Sequence, residues 1–509
     1  MKFLELAGRI SARWSASGAW SAATLEAQLG GAANCCAVAT SAAPPPPSLP
    51  LLTVKVNADG HRAFSYDEGR LAASARRTQL VEMSARELFE LCRRSEVGPS
   101  QRRAYFTSPV AALLGGDELL ARHPEWRDLI HPLAARPAAA AAVSAPHLSL
   151  WIGGLGTQTQ AHYDNSDNVF LQLAGRKRFF LWSPAAAAQL HQFPDAHCRA
   201  RKSQIEPFSG GGASEEAAAD AVLFPLAAAL PPPVVVDLEP GDALTVPAFT
   251  FHHVEVLSSH RDGCSEGGED EDAVSVSANC FTQLPQHDIA AALLQHSLVP
   301  EIPIDGEFDD ALRAARRVLD LVVRCVEWPA RGECTSASAS TASAGELIAM
   351  LVESRFAPLN RDVDGPIALE VNAVRASASA ARRRRRMARD WVEAPHQKDA
   401  SADDVVDGGG GDVNTDGGAL GLVSAKKHAE MLVDYFVQLG VASTQRGASD
   451  EYPVGLGSAE EYARGVALLQ LWHLLEMTAL QLVRVSPTRT SMEAVLEQLG
   501  GSGDEGQGA

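Results

Sequence analysis

From His147 to about Pro285 the sequence is a succession of short runs rich in Val, Leu, Phe and Trp: LSLWIGG, NVFLQLAG, KRFFLWSP, PVVVDLEPGD, ALTVPA and AVSVSANCF. Turn-forming residues separate them. Many short strands punctuated in this way are the signature of an all-β sandwich or barrel. Two inserts interrupt the series. Residues 209–232 are Gly/Ala-rich and end in Pro231–Pro233, and residues 258–272 are polar and acidic. Both are expected to be surface loops.

The flanks read differently. Residues 1–110 mix helix and strand. Leu51–Val56 (LLTVKV) is a short β-type run, and Ser84–Arg93 (SARELFELCR) has a serine N-cap candidate followed by helical apolar spacing. Beyond Pro285 the chain turns helical at Asp309–Val326, Ala425–Leu439 and Ala459–Val485. The expected organisation is an N-terminal α/β part (1–110), a β core (111–285), a helical extension (286–375), a disordered linker (376–423) with the arginine run Arg382–Arg386, C-terminal helices (424–499) and a disordered tail (500–509). A chain of 509 residues has room for two or three domains.

A formal net charge of −19 argues against a general phosphate-attracting surface, and so against nucleic acid as the main partner. Basic protein segments remain suitable partners. Eight cysteines, none in a C-x-x-C pair, give no support to a structural zinc site and fit a reducing compartment. The opening MKFLELAGRISARW is too short and interrupted for a secretory apolar segment, and no run of 18 apolar residues occurs. The expectation is a cytoplasmic or nuclear protein with no membrane span.

The chemistry concentrates in Gly156-Thr157-Gln158-Thr159-Gln160-Ala161-His162-Tyr163-Asp164. Alternate side chains of a strand share a face, so His162 and Asp164 can bite one metal together. A third ligand must come from a distant strand. The turn at Pro240–Gly241 is expected to launch a strand that ends at Phe251-His252-His253-Val254, 88 residues on (252 − 164). Two imidazoles and one carboxylate on one face form the facial triad of non-haem iron(II) oxygenases, which leaves positions open for cosubstrate. H-x-D alone is a weak signal; its flanks give it weight.

Those flanks, LWIGGLGTQTQAHYDNSDNVFLQLAGRKRFFLWSP and LEPGDALTVPAFTFHHVEV, resemble the JmjC-domain oxygenases. The similarity is greatest to their small hydroxylase branch, typified by the asparaginyl hydroxylase of hypoxia-inducible factor. It runs from about Trp151 to Phe281, with a looser match over residues 8–110. The resemblance implies a mainly β double-stranded β-helix (jelly roll) with metal ligands His162, Asp164 and His252. His252 is preferred to His253 because it falls five residues after Pro247, where the family has its ligand. The resemblance also implies a 2-oxoglutarate site. Lys177 would pair with the distal carboxylate, Thr159 would contact the same group, and Asn168 and Asn279 would lie near cosubstrate and metal. Arg201 and Lys202 fall in a stretch that contacts substrate in the hydroxylase branch. Lys202 there replaces a glutamine that holds a substrate amide, so an acidic target becomes a hypothesis in its place.

The implied activity is that of a dioxygenase using Fe(II), 2-oxoglutarate and O2, coupling oxidative decarboxylation of the 2-oxo acid to hydroxylation of a protein side chain. Other readings of the same resemblance are an N-methyl-lysine demethylase, a tRNA-modifying hydroxylase and a catalytically silent binding module. The apolar run LLQLWHLLEMTALQLV within Ala459–Val485 can bury two faces, either within the chain or in a homodimer, as such helices do in the hydroxylase branch.

Overall fold

The computed structural model describes residues 2–30, 51–57, 63–64, 78–94, 102–113, 120–124, 148–205 apart from 196 and 198, 223–257, 273–282, 344–356 and 492–500, with single positions at 312, 313 and 316 and between 456 and 482. The segments 258–272, 376–423 and Ala425–Leu439, and the tail from 501, lie outside the described residues. Residues Met1–Pro285 and Ser443–Gly465 form one compact unit; Gln286–Ala442 and Val466–Ala509 form a second.

The first unit holds two β-sheets of jelly-roll type. Its strands are β1 (Leu52–Asn57), β2 (Ala63–Phe64), β3 (Thr78–Met83), β4 (Arg103–Pro109), β5 (Leu148–Gly154), β6 (Gln158–His162), β7 (Asp167–Ala174), β8 (Arg176–Trp182), β9 (Val234–Leu238), β10 (Ala243–Val246), β11 (Phe251–Leu257) and β12 (Val274–Thr282). A seven-stranded sheet has the order β10-β7-β12-β5-β4-β1-β3, and a five-stranded sheet the order β2-β6-β11-β8-β9. All neighbours run antiparallel except β2 and β6. The N-terminal strands join the same sheet as the core, because β4 pairs with β5 from Tyr105↔Gly153 to Pro109↔Ser149.

Period-2 alternation decides what each face of the seven-stranded sheet buries. Leu150, Ile152, Val169, Leu171, Val276 and Ala278 point outward into a core shared with Trp14, Leu25 and Phe89. Those three come from helices α1 (Lys2–Ala16), α2 (Ala22–Leu29) and α3 (Ala85–Arg93). The start of α3 is fixed by a capping box: the Ser84 hydroxyl accepts from the Glu87 N–H, and the Glu87 carboxylate accepts from the Ser84 N–H at 2.8 Å. The opposite face of the sheet contributes Phe170, Leu244 and Val246 to an inner core with Phe179, Leu181, Leu238 and Val254 of the five-stranded sheet. Leu456, from the returning segment Ser443–Gly465, belongs to that inner core.

The second unit contains α4 (Ala344–Leu351), a π-helical turn at Val352–Phe356 and α5 (Met492–Gly500); its described positions between 466 and 482 are helical too. Arg355 and Glu476 form an ion pair at 2.5 Å with both side chains fully buried, and Trp472 lies 4.8 Å from the guanidinium. Among the described residues, no helix is long and apolar enough to cross a membrane.

Candidate metal centre

Strands β6 and β11 are neighbours, and His162 pairs directly with His252. Asp164 lies just past the end of β6. One ligand atom from each of His162, Asp164 and His252 lies within 4.8 Å of the other two. His252 Nε2 is 3.7 Å from Asp164 Oδ2, and the imidazole centroids are 4.3 Å apart. In both histidines Nδ1 faces the backbone carbonyl two residues earlier: Gln160 O at 2.7 Å from His162, Thr250 O at 3.0 Å from His252. A carbonyl only accepts, so Nδ1 carries the proton and the Nε2 lone pair is left for a metal. Burial, and then the neighbouring His252, hold the His162 imidazole well below its ordinary pKa and thus neutral, as a ligand must be.

Thr159 stands three residues before His162, an odd offset that would put the two on opposite faces of a regular strand. The β6–β11 register shifts between His252↔His162 and Val254↔Thr159, so β6 carries one extra residue there. This bulge turns both side chains into the same cavity. His253 points to the other face, 3.3 Å from the Glu255 carboxylate and against the ring of Phe180.

The sequence was expected to run as one strand from the Pro240–Gly241 turn to the histidines. It forms two strands in different sheets: β10 ends at Val246 in the seven-stranded sheet, and β11 begins at Phe251 in the other. Pro247 has no N–H for a ladder, and Phe249 adopts φ +63°, which no strand accommodates. The Thr250 N–H closes the turn on the Pro247 carbonyl at 3.2 Å.

Behind the triad lies a cavity of about 240 Å³. Lys177 of β8 reaches into it and is 1% exposed. Its ammonium donates to Ser277 Oγ at 2.7 Å and lies 5.0 Å from the Phe170 ring and 5.8 Å from the Tyr105 ring. Burial alone pushes its pKa down to about 7. The Thr159 hydroxyl is buried there without a hydrogen-bond partner. A buried cation beside an unpartnered hydroxyl suits a carboxylate.

Asn168 and Asn279 line the same cavity. The Trp151 indole N–H can only donate, and it does so to Asn279 Oδ1 at 2.6 Å. Asn279 must then present Nδ2 to Asn168 Oδ1, at 3.0 Å. With its Oδ1 so occupied, Asn168 has an amide nitrogen that can only donate. At the exposed end, Arg201 and Lys202 also line it. Their segment adds to β6, with Tyr163 N donating to Arg201 O at 3.2 Å and Ser203 N to Ala161 O at 2.7 Å. Arg201 is exposed with φ +68°, while Lys202 is buried beside His162.

All nine sequence-derived site residues therefore line one cavity. Sequence reasoning missed Ser277, Trp151 and Tyr105. Ser277 could have been found, since it sits two positions before Asn279 on the same face of β12. Trp151 and Tyr105 carried no such signal, because aromatic residues in strands serve mostly as core.

Residues 7–282 match the family described as "Cupin-like domain", over half of the chain, and the protein belongs to that family. Among curated proteins, it is similar to Lysine-specific demethylase JMJ32 of Arabidopsis thaliana, with 26% identity over 127 residues. That match covers 21% of this chain and 36% of the relative.

Proposed function

We propose that this chain is an iron(II)- and 2-oxoglutarate-dependent dioxygenase that hydroxylates a protein side chain. The observation that carries the reading is the His162, Asp164 and His252 cluster at a cavity whose far wall holds a buried lysine. Iron(II) with 2-oxoglutarate and dioxygen supplies the oxidising chemistry, coupling decarboxylation of the 2-oxo acid to hydroxylation of a C–H bond.

The protein's part is binding, orientation and exclusion of water. His162 and His252 would hold the metal through Nε2 and Asp164 through a carboxylate oxygen. Lys177 and Thr159 would hold a carboxylate of 2-oxoglutarate. Asn168, whose Oδ1 is taken by Asn279, would offer its amide N–H to the cosubstrate. Phe170, Phe179 and Tyr105 wall the cavity with apolar surface, which strengthens each of these electrostatic contacts. Arg201 and Lys202 face the arriving substrate.

The demethylase relative supports a second reading, removal of a methyl group from N-methyl-lysine by the same chemistry. The two cations lining the entrance disfavour a methylammonium and favour a neutral or acidic side chain. The deciding experiment is anaerobic titration of iron(II) and 2-oxoglutarate followed by succinate release in air. The parent chain is expected to bind both and release succinate slowly, while His162→Ala loses the metal and Lys177→Ala loses the cosubstrate. A parent chain that binds neither ends the oxygenase reading. Peptides bearing asparagine, aspartate or trimethyl-lysine then separate hydroxylase from demethylase.

A further inference from the structure

The turn from Pro247 to Thr250 joins the two sheets and delivers His252 to the metal cluster. It has an i→i+3 hydrogen bond and a positive φ only at its third residue, Phe249. That combination defines a type II turn, whose third position normally needs glycine. Phenylalanine there is strained. A type I turn, which differs mainly by a flip of the central peptide, would suit it better.

The central peptide, between Ala248 and Phe249, is held from both ends. The Phe249 N–H donates to the backbone carbonyl of Asp164 at 2.7 Å. The Ala248 carbonyl accepts from the hydroxyl of Tyr462, a buried contact 214 residues away in sequence. Next to it, the Ala248 N–H donates to Asp167 Oδ1 at 2.8 Å. Tyr462 itself is 5% exposed. It belongs to the segment Ser443–Gly465, which joins the first unit and buries Leu456 in the inner core.

We propose that Tyr462 is a positioning residue for the metal centre: its hydroxyl keeps the 248–249 peptide in the strained orientation that ties the backbone of Asp164 to the turn carrying His252. Without that hydroxyl the peptide flips toward the arrangement phenylalanine prefers. The Phe249 N–H then leaves the Asp164 carbonyl, and the carboxylate loses its fixed place opposite His252. A segment remote in sequence thereby becomes part of the metal-binding apparatus. The inference rests on the reading of His162, Asp164 and His252 as metal ligands.

The test uses the full chain and Co(II), whose visible absorption reports both affinity and ligand geometry without turnover. Tyr462→Phe removes one oxygen atom and is expected to weaken Co(II) binding about tenfold, the scale of a lost contact behind a ligand, and to alter the absorption band, with the circular dichroism of the fold retained. Phe249→Gly removes the preference for the flipped peptide. Combined with Tyr462→Phe, it is expected to restore Co(II) affinity to within about threefold of Phe249→Gly alone. Unchanged affinity in Tyr462→Phe overturns the proposal. So does a double variant that binds worse than Tyr462→Phe, since a merely structural tyrosine predicts that the two losses add. If the parent chain binds no Co(II), the metal reading itself falls and takes this inference with it.

Discussion

A lysine that is 1% exposed, with a serine hydroxyl and two aromatic rings but no carboxylate near its ammonium among the described residues, is a poor place for a charge until an anion arrives. Lys177 therefore makes both stability and binding depend on pH. Its folded pKa, about 7, is below the ordinary 10.5. Between those values the unfolded chain holds a proton that the folded chain has released, so stability rises with pH across that window. The total change is on the order of 3–5 kcal/mol. The denaturant midpoint of the ligand-free chain is expected to climb from pH 7 to 9, and Lys177→Met to remove the trend. Binding of 2-oxoglutarate has the opposite sign. On the proposed function it would use the protonated lysine, so affinity should fall about tenfold per pH unit above 7, as calorimetry at several pH values would show. His253, on the far face of β11, provides the contrast to His252. His253→Ala should leave metal affinity within about twofold, whereas His252→Ala should abolish binding.

Among the elements, turns and bulges do more than strands to build the site. The chain passes from β7 in one sheet to β8 in the other at Gly175, φ +65°, where an added Cβ would lie 2.6 Å from the Val274 carbonyl oxygen and 2.8 Å from Ser275 Cα. Gly175→Ala should cost at least about 1–2 kcal/mol from the left-handed backbone alone. It should also weaken 2-oxoglutarate binding, since Lys177 is the second residue of the next strand; urea unfolding and ligand titration would read the two effects. The strands themselves were legible in the sequence, because a period of two marks a half-buried sheet. The His-x-Asp spacing likewise pointed to the triad. The β6 bulge and the break between β10 and β11 were not legible as geometry. Each depends on one residue's backbone, at the Thr159–His162 register shift and at Phe249, and side-chain hydrophobicity carries no record of φ.

At the scale of the molecule, two features extend beyond the cavity. In the second unit, the fully buried Arg355–Glu476 pair is vulnerable to loss of either partner. Glu476→Ala should destabilise that unit by about 3–5 kcal/mol by removing the carboxylate paired with a fully buried guanidinium, measurable by chemical denaturation. Exposed Arg201 and buried Lys202 line the cavity of a chain whose net charge is −19, so the cavity is a local exception to the overall sign. Lys202→Gln should shift turnover from acidic toward neutral peptides; an unaltered ratio between the two would remove Lys202 from the account of specificity. None of these long-range placements could be read from the sequence alone, since residues such as Tyr462 and Ala248 meet only through the tertiary fold.

The direct pairing of His162 with His252 also has a kinetic side. Strand β11 is the partner of both β6 and β8, and it reaches them only after the intervening chain has crossed to the seven-stranded sheet and back. Contacts between segments so far apart along the chain are slow to form, because the entropy of closing the loop is spent before the contacts reward it. His162 and His252 are therefore expected to meet in a late step of folding, after the strands that pair locally have formed.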